Sequence, residues 1–194
     1  MNTPNKLSIL RMLMIPVVMF FYLENFFPYG KIVAAVVFVL AALTDMLDGY
    51  IARKYNLVTD LGKLLDTNAD KILVLAGLLM IVCDGTVIAP WGVIIAVIIL
   101  GRDMLISAFR QIAASKNFVM AADKLGKIKA FLTDIAVVMF FIVAFLNEMA
   151  IVGLFVDIFT ITSYVVLGIS TMLTIISAIN YIVKNRAVLK QDKD

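Results

Sequence analysis

The stretch DMLDGYIARKYNLVTDLGKLLDTNAD, from Asp45 to Asp70, holds four aspartates within runs that are otherwise apolar enough to cross a membrane. Asp45 and Asp48 form one pair, and Asp66 and Asp70 form the second. A carboxylate at the bilayer centre costs roughly 2.5 to 3.5 kcal/mol, so four cost on the order of 10 kcal/mol unless cations, water or partners offset the cost. The cluster therefore indicates a functional site, and a pair of divalent metal ions is its best-matched partner.

The composition excludes a soluble globular protein. Hydrophobic residues make up 63% of the 194 residues and the mean hydropathy is +1.03, which is more apolar surface than a core can hide. We predict an all-α integral membrane bundle of six transmembrane helices, forming one domain over residues 1–194 with a short polar cytoplasmic tail at 185–194. The predicted spans cover roughly residues 8–24, 31–56, 61–83, 90–116, 125–147 and 154–183.

Lysine and arginine set the predicted orientation. With the N-terminus inside, most of the positive charge faces the cytoplasm and the external loops keep little beyond Lys31. Both termini are then cytoplasmic, and topogenic bias with contact to anionic lipid head groups accounts for most of the lysines. The sequence has no histidine and a single cysteine, Cys83, so it favours hard, oxygen-ligated cations over zinc and rules out an internal disulfide.

Helical spacing brings the carboxylates onto two stripes. The first stripe follows i, i+3, i+4 and i+7, and the second follows i, i+4 and i+8; their members are Asp45, Asp48, Gly49 and Ala52, then Gly62, Asp66 and Asp70. A short turn over residues 56–60 makes the two helices antiparallel neighbours. We therefore expect the four carboxylates to converge at one depth in the cytoplasmic half, as an open, water-accessible metal site.

Small residues and one arginine accompany the acids. Gly49, Ala52 and Gly62 leave the acidic stripe without bulk, which suits tight helix packing or the close approach of a ligand. Arg53, one turn below Asp48, either pairs with the aspartates or holds a phosphate bidentately, and the phosphate is favoured because divalent metals already balance the acids.

These residues resemble a known signature. The series Asp45, Asp48, Gly49, Ala52, Arg53, Gly62, Asp66 and Asp70 matches the D-x-x-D-G-x-x-A-R-x8-G-x3-D-x3-D motif of the CDP-alcohol phosphatidyltransferase family at all eight specified positions. Three looser segments resemble the phosphatidylglycerophosphate synthase branch of that family. They are Pro4 to Ser8 with Arg11, Gly101-Arg102-Asp103 through Arg110, and Leu125-Gly126-Lys127-Ile128-Lys129.

The resemblance implies a transfer reaction in which an acceptor hydroxyl attacks the lipid-linked phosphorus of CDP-diacylglycerol and CMP leaves. It further implies that Asp45, Asp48, Asp66 and Asp70 hold two Mg²⁺ or Mn²⁺ ions and that Asp70 also accepts the proton. The residues that it assigns to CDP-diacylglycerol are Asn5, Lys6, Leu7, Ser8, Gly49, Ala52, Arg53, Thr59 and Gly62. A homodimer in the plasma membrane of a bacterium, with its active site facing the cytoplasm, is also implied, with membrane lipids and no nucleic acid among the partners.

The acceptor is a separate question. Arg102, Arg110 and Lys127 supply positive charge in the cytoplasmic half of the membrane, where cations are expensive and require an anion. On one interpretation, Asp103 forms an ion pair with Arg110, since the two residues are seven apart and share a helix face. On the other, the cations bind a phosphate on the acceptor, as in glycerol 3-phosphate; inositol phosphate meets the same requirement, so the choice between them rests on the resemblance.

Two alternatives remain open. A small divalent-cation transporter would also carry intramembrane acids, although these acids lie towards one side and no inverted repeat is visible. A sister enzyme of the same family would use the same chemistry on inositol phosphate, serine or phosphatidylglycerol.

Overall fold

The computed structural model describes residues 3–24, 27–54, 60–87, 90–115 and 124–184, with the side chains of residues 3–5, 45–54, 60–61, 63–66, 114–115 and 124 outside that description. The helices that it contains are α1 (Thr3–Leu23), α2 (Gly30–Lys54), α3 (Asp60–Cys83), α4 (Trp91–Ser115), α5 (Lys124–Glu148) and α6 (Leu154–Lys184). In these ranges the chain is all-α, as predicted. The largest departure from the predicted spans is at α1, which begins five residues before residue 8.

Four of the helices are long and apolar enough to cross a membrane, namely α1, α4, α5 and α6. Helix α2 is apolar over Gly30–Thr44, ahead of its acidic half. Helix α3 carries five charged residues within its first twelve positions, from Asp60 to Lys71. The pattern is that of a multi-pass membrane protein in which the acidic pairs lie on α2 and α3.

The core forms where aromatic rings fill the space between α1, α2 and α5. The rings of Tyr22 and Phe141 lie 4.4 Å apart, and those of Phe38 and Phe141 lie 5.7 Å apart. Helices α3 and α5 approach closely at Gly77, where an added Cβ would lie 2.6 Å from Val137 Cγ1. Such small-residue contacts are typical of helix packing in membranes, where van der Waals contact replaces the hydrophobic effect between helices.

The outward-facing surface of α6 is apolar along its length. Phe155 is 73% exposed and Met172 is 66% exposed, with Leu154, Ile161 and Val183 also exposed. A soluble protein rarely exposes a continuous apolar surface of this length. The surface fits a helix that is solvated by lipid acyl chains.

A polar cluster, which we call the clasp, joins the helix ends on one side of the bundle. Tyr22 Oη donates to Asp84 Oδ2 at 2.6 Å, and Lys31 Nζ lies 3.2 Å from the same oxygen and 3.6 Å from Glu148 Oε2. The Thr86 amide donates to Asp84 Oδ1 at 2.9 Å. The clasp therefore consists of Tyr22, Lys31, Asp84, Thr86 and Glu148, and it ties α1, α2 and α5 to the turn after α3.

Removing the central carboxylate of the clasp should destabilise the bundle. Asp84→Ala leaves the Tyr22 hydroxyl and the Lys31 ammonium without their acceptor, at a cost of about 2 kcal/mol, or a fall in Tm of about 4–8 °C for a chain of this size. Thermal unfolding in detergent micelles measures the shift. Glu24→Gln, an exposed carboxylate at the end of α1, is the matched control, and equal shifts in the two variants would contradict a stabilising clasp.

Candidate active site

Both acidic segments are helical, as their spacing requires. Asp45 and Asp48 lie in the last third of α2, and Asp66 and Asp70 lie in the first half of α3. The five residues between the helices, 55–59, lie outside the described part of the chain. Only Asp70 has a described side chain, which is half-buried, so the convergence of the four carboxylates stays a prediction.

The first half of α1 lies beside the acidic half of α2. Arg11 is fully buried, and its Nε donates to the carbonyl oxygen of Ala41 at 3.3 Å. That carbonyl lies one helical turn before Asp45 and also accepts from Thr44 Oγ1 at 2.6 Å. The sequence marked Arg11 only as part of a resemblance; the structure places its guanidinium in the core, next to the start of the acidic stripe.

The predicted nucleotide-binding residues are only partly described. Ser8 is buried, Leu7 and Gly62 are half-buried and Lys6 is exposed. Thr59 lies outside the described part of the chain. Four other residues lie in described helices, but their side chains are outside the description: Asn5, Gly49, Ala52 and Arg53. Their contacts with a nucleotide stay predictions.

A cleft between α3, α4 and α5 opens onto Asp70. Its polar lining comes from Asp70 and Lys71 on α3, Asp103 on α4, and Lys129 and Thr133 on α5. Apolar side chains such as Val74 and Leu78 close its deeper wall. The cleft therefore brings two carboxylates, Asp70 and Asp103, next to two ammonium groups, Lys71 and Lys129.

Asp103 pairs two buried cations beside this cleft. Its Oδ1 accepts from Arg102 Nη1 at 2.9 Å and also from Lys129 Nζ. The side chains of Lys129 and Arg102 are only 3% and 11% exposed. Because unpaired charge is costly in a low-dielectric interior, the pairing explains how both cations are tolerated at this depth.

Hydroxyl groups on neighbouring helices accept hydrogen bonds from Lys71, Arg102 and Arg110. Lys71 Nζ donates to Ser107 Oγ at 2.5 Å. Arg102 Nη2 donates to Ser177 Oγ at 2.5 Å, and Arg110 Nε donates to Tyr181 Oη at 3.1 Å. We call Lys71, Arg102, Arg110 and Lys129 the basic cluster. Its cations lie on α3, α4 and α5, and α6 supplies two of the hydroxyl groups that they contact.

The structure changes two expectations about the acceptor residues. Asp103 contacts Arg102 and Lys129 rather than Arg110, because seven residues of helix separate Asp103 from Arg110 by about 10 Å along the axis. Lys127 is exposed, whereas Lys129, which the sequence analysis did not assign to the acceptor site, is buried beside Asp103. Lys129 precedes Thr133, Ala136 and Phe140 on the buried face of α5, so the helical period carried the signal that could have found it.

Comparison with known proteins agrees with this architecture. A family model described as CDP-alcohol phosphatidyltransferase matches residues 1–176. The chain belongs to this family. Because the match takes in all of α1 to α5 and most of α6, it covers the acidic stripes and the basic cluster together, and the family is one of enzymes.

Individual relatives are similar over most of their length. A CDP-diacylglycerol–glycerol-3-phosphate 3-phosphatidyltransferase of Bacillus subtilis is 39% identical over 148 residues, covering 70% of this chain and 74% of its own. The protein of the same name from Rickettsia bellii is 42% identical over 132 residues, covering 68% and 70%. A third, from Wigglesworthia glossinidia brevipalpis, is 33% identical over 141 residues, covering 71% and 75%.

Neutralising Asp103 should destabilise the protein more than a typical surface change. Asp103→Asn removes the anion between Arg102 and Lys129, and breaking a buried ion pair costs on the order of 3 kcal/mol. Thermal unfolding in detergent micelles measures the loss. Asp157→Asn, which changes an exposed carboxylate in the first turn of α6, should cost less than about 1 kcal/mol; comparable losses in both variants would refute the pairing as a stabilising interaction.

Proposed function

We propose that this chain transfers the phosphatidyl group of CDP-diacylglycerol to glycerol 3-phosphate, giving phosphatidylglycerophosphate and CMP. The observation that carries the proposal is the family match over residues 1–176, which includes Asp70 and the rest of the acidic motif. The names of the relatives from Bacillus subtilis and Rickettsia bellii support the same pair of substrates.

The proposed topology is six transmembrane helices with both termini in the cytoplasm, in the plasma membrane of a bacterium. The four apolar helices and the bacterial relatives support it. The acidic stripes then face the cytoplasm, where CDP-diacylglycerol presents its head group while its acyl chains stay in the bilayer. A homodimer remains part of the proposal.

The donor set suits two Mg²⁺ or Mn²⁺ ions. Asp45, Asp48, Asp66 and Asp70 provide carboxylate oxygens on two helices joined by a short connection, and hard divalent cations prefer such ligands. Bound ions would neutralise the pyrophosphate and stabilise the charge that develops on the departing CMP.

The other motif residues bind and orient the nucleotide in this scheme. Gly49, Ala52 and Gly62 allow it to approach the helix backbones, and Arg53 and Thr59 contact its phosphates. Residues 5–8, namely Asn5, Lys6, Leu7 and Ser8, close over it from α1. These roles rest on the match to the family motif and on the position of α1 beside α2.

Asp70 is the proposed base. The acceptor hydroxyl oxygen forms a bond to the lipid-linked phosphorus, the bond from that phosphorus to the CMP oxygen breaks, and the hydroxyl proton passes to the Asp70 carboxylate. Its half-buried side chain borders the cleft between α3, α4 and α5. General-base catalysis of this kind contributes about 10²- to 10⁴-fold in rate.

Arg102, Arg110 and Lys127 are the proposed ligands of the acceptor phosphate, and Lys71 and Lys129 add positive charge next to the cleft. The phosphate of a phosphorylated acceptor would bind these cations alongside Asp103. An uncharged alcohol has no anionic group with which to do so. The charge therefore favours glycerol 3-phosphate over uncharged inositol or choline, which has no anionic group. Inositol phosphate carries the same phosphate and is the acceptor to be tested against it.

An acceptor panel tests the activity. Purified protein in detergent receives CDP-diacylglycerol, Mg²⁺ and one acceptor at a time, and CMP release is measured with glycerol 3-phosphate, inositol phosphate, inositol, serine and phosphatidylglycerol. Glycerol 3-phosphate should give the fastest release, and Asp70→Asn should lower it by at least about 100-fold. Glu24→Gln, far from the cleft in sequence and exposed, should keep full activity.

Several outcomes of that panel would contradict the proposal. Faster release with another acceptor would assign the chain to a sister activity of the same family. CMP release that does not depend on any acceptor, or divalent-ion flux in liposomes without CMP release, would count against the transfer altogether.

Metal removal tests the carboxylate site. Chelation with EDTA should abolish CMP release, and added Mg²⁺ or Mn²⁺ should restore it. Equilibrium binding of Mn²⁺ in the presence of CDP-diacylglycerol should give about two ions per chain, and Asp45→Asn should weaken that binding while Asp157→Asn leaves it intact. Full activity after chelation, or unchanged Mn²⁺ binding in Asp45→Asn, would exclude the proposed ligands.

A further inference from the structure

Helix α6 presents a line of buried hydroxyl groups to the interior of the bundle. At most 4% of each residue in this line is exposed, and its members are Ser163, Ser170, Thr174, Ser177 and Tyr181. They recur every three to seven residues, which places them on one face of the helix. The line runs along α6 towards the basic cluster on α4 and α5.

The first three members of the line bond to backbone groups. Ser163 Oγ donates to the carbonyl of Phe159 at 2.8 Å, and Thr174 Oγ1 donates to the carbonyl of Ser170 at 2.8 Å. Ser170 Oγ donates to the carbonyl of Lys129 at 3.0 Å. These are ordinary ways for a hydroxyl to be satisfied inside an apolar bundle.

The last two members contact arginine side chains instead. Ser177 accepts from Arg102 Nη2, and Tyr181 accepts from Arg110 Nε while its ring centroid lies 5.6 Å from Arg110 Cζ. The arginines are eight residues apart on α4, about 12 Å along the axis, whereas the hydroxyl-bearing residues are four apart on α6, about 6 Å. The two arginines lie about two turns apart on α4, but the hydroxyl groups that they contact lie little more than one turn apart on α6.

We propose that Ser177 and Tyr181 are positioning residues, which orient the guanidinium groups of Arg102 and Arg110 to receive the phosphate of the acceptor. This inference rests on the proposed function, in which those two arginines bind that phosphate. Neither hydroxyl touches the acceptor; each acts through the arginine that it holds.

The choice of a hydroxyl group has a physical reason. Bidentate binding of a phosphate requires a guanidinium plane fixed in one orientation. A carboxylate fixes the plane but offsets the charge, as Asp103 does at one terminal nitrogen of Arg102, whereas a hydroxyl fixes the plane and leaves the charge, as Tyr181 does for Arg110. Tyr181 engages Arg110 through Nε, on the side of the guanidinium opposite to one terminal nitrogen, so the pair of terminal nitrogens can face an anion.

A purely structural role is the competing explanation. Arg102, whose side chain is 11% exposed, needs hydrogen-bond acceptors whatever its function, and the contact of Tyr181 with the exposed Arg110 would join α6 to α4. Ser177 and Tyr181 would then affect folding alone. The two explanations differ in their kinetic consequences: a structural role changes thermal stability, whereas a positioning role changes the KM for the phosphorylated acceptor.

Two conservative variants separate the explanations in the purified full-length chain with CDP-diacylglycerol, Mg²⁺ and glycerol 3-phosphate. Ser177→Ala and Tyr181→Phe each remove one hydroxyl, and the second keeps the aromatic ring over Arg110. Each should raise the KM for glycerol 3-phosphate about three- to tenfold, with kcat and the KM for CDP-diacylglycerol changed by less than about twofold. Ser177→Thr keeps a hydroxyl at this position, so its KM for glycerol 3-phosphate should lie close to the value of the unsubstituted chain.

The same helix offers matched controls. Ser163→Ala removes a buried hydroxyl that bonds only within α6, and Tyr164→Phe removes one that donates to the carbonyl of Thr86 at 3.1 Å, near the clasp. Both should leave the KM for glycerol 3-phosphate unchanged. Variants at Ser177 and Tyr181 that lower Tm as the controls do, without moving this KM, would overturn the positioning role.

Arginine variants separate failure of this inference from failure of the acceptor site itself. If Arg102→Ala and Arg110→Ala raise the KM for glycerol 3-phosphate but Ser177→Ala and Tyr181→Phe do not, the acceptor site stands and the positioning role is refuted. If none of the four raises it, the acceptor site and the positioning role both fail, while the CMP-release panel still reports on the transfer activity.

Discussion

Buried charge held in an apolar bundle is the constraint on which the rest of this molecule depends. Lipid offers no water to solvate an ion, so each carboxylate and ammonium at depth must find a partner within the protein or from a ligand. Asp103 meets this requirement for Arg102 and Lys129, and the Tyr181 hydroxyl contacts Arg110 without cancelling its charge. In the proposed function, positive charge with a neutral partner is what binds the acceptor phosphate.

The division of labour between helices follows from the same constraint. Helices α1, α4, α5 and α6 are apolar enough to lie in lipid, whereas α2 and α3 each combine an apolar half with an acidic one. In the proposed function, this arrangement gives a polar site access to a substrate that stays in the membrane.

Much of this architecture could be predicted from the sequence because its signals are local. Apolar runs of the right length gave six helices with ends within a few residues of those found, and the fixed spacing from Asp45 to Asp70 indicated the family that the comparison then showed. The basic cluster was harder. Arg102 and Arg110 were recognised from the cost of intramembrane charge and from the family resemblance, whereas Lys129 entered only as part of a segment that resembles the synthase branch. Its partner and the hydroxyls of α6 come from distant segments, and pairings between distant segments are set by tertiary packing that no local pattern specifies.

The close approach of α3 to α5 at Gly77 ties remote packing to the reaction centre. Asp70 lies seven residues from Gly77 on α3, and Lys129 lies eight residues from Val137 on α5, so in each helix the cleft is two turns away from the contact. Any side chain at residue 77 would act as a wedge, since its first carbon already collides with Val137. Rigid helices would transmit such a wedge as a change in the gap between them, so the spacing between Asp70 and Lys129 depends on a residue that carries no functional group.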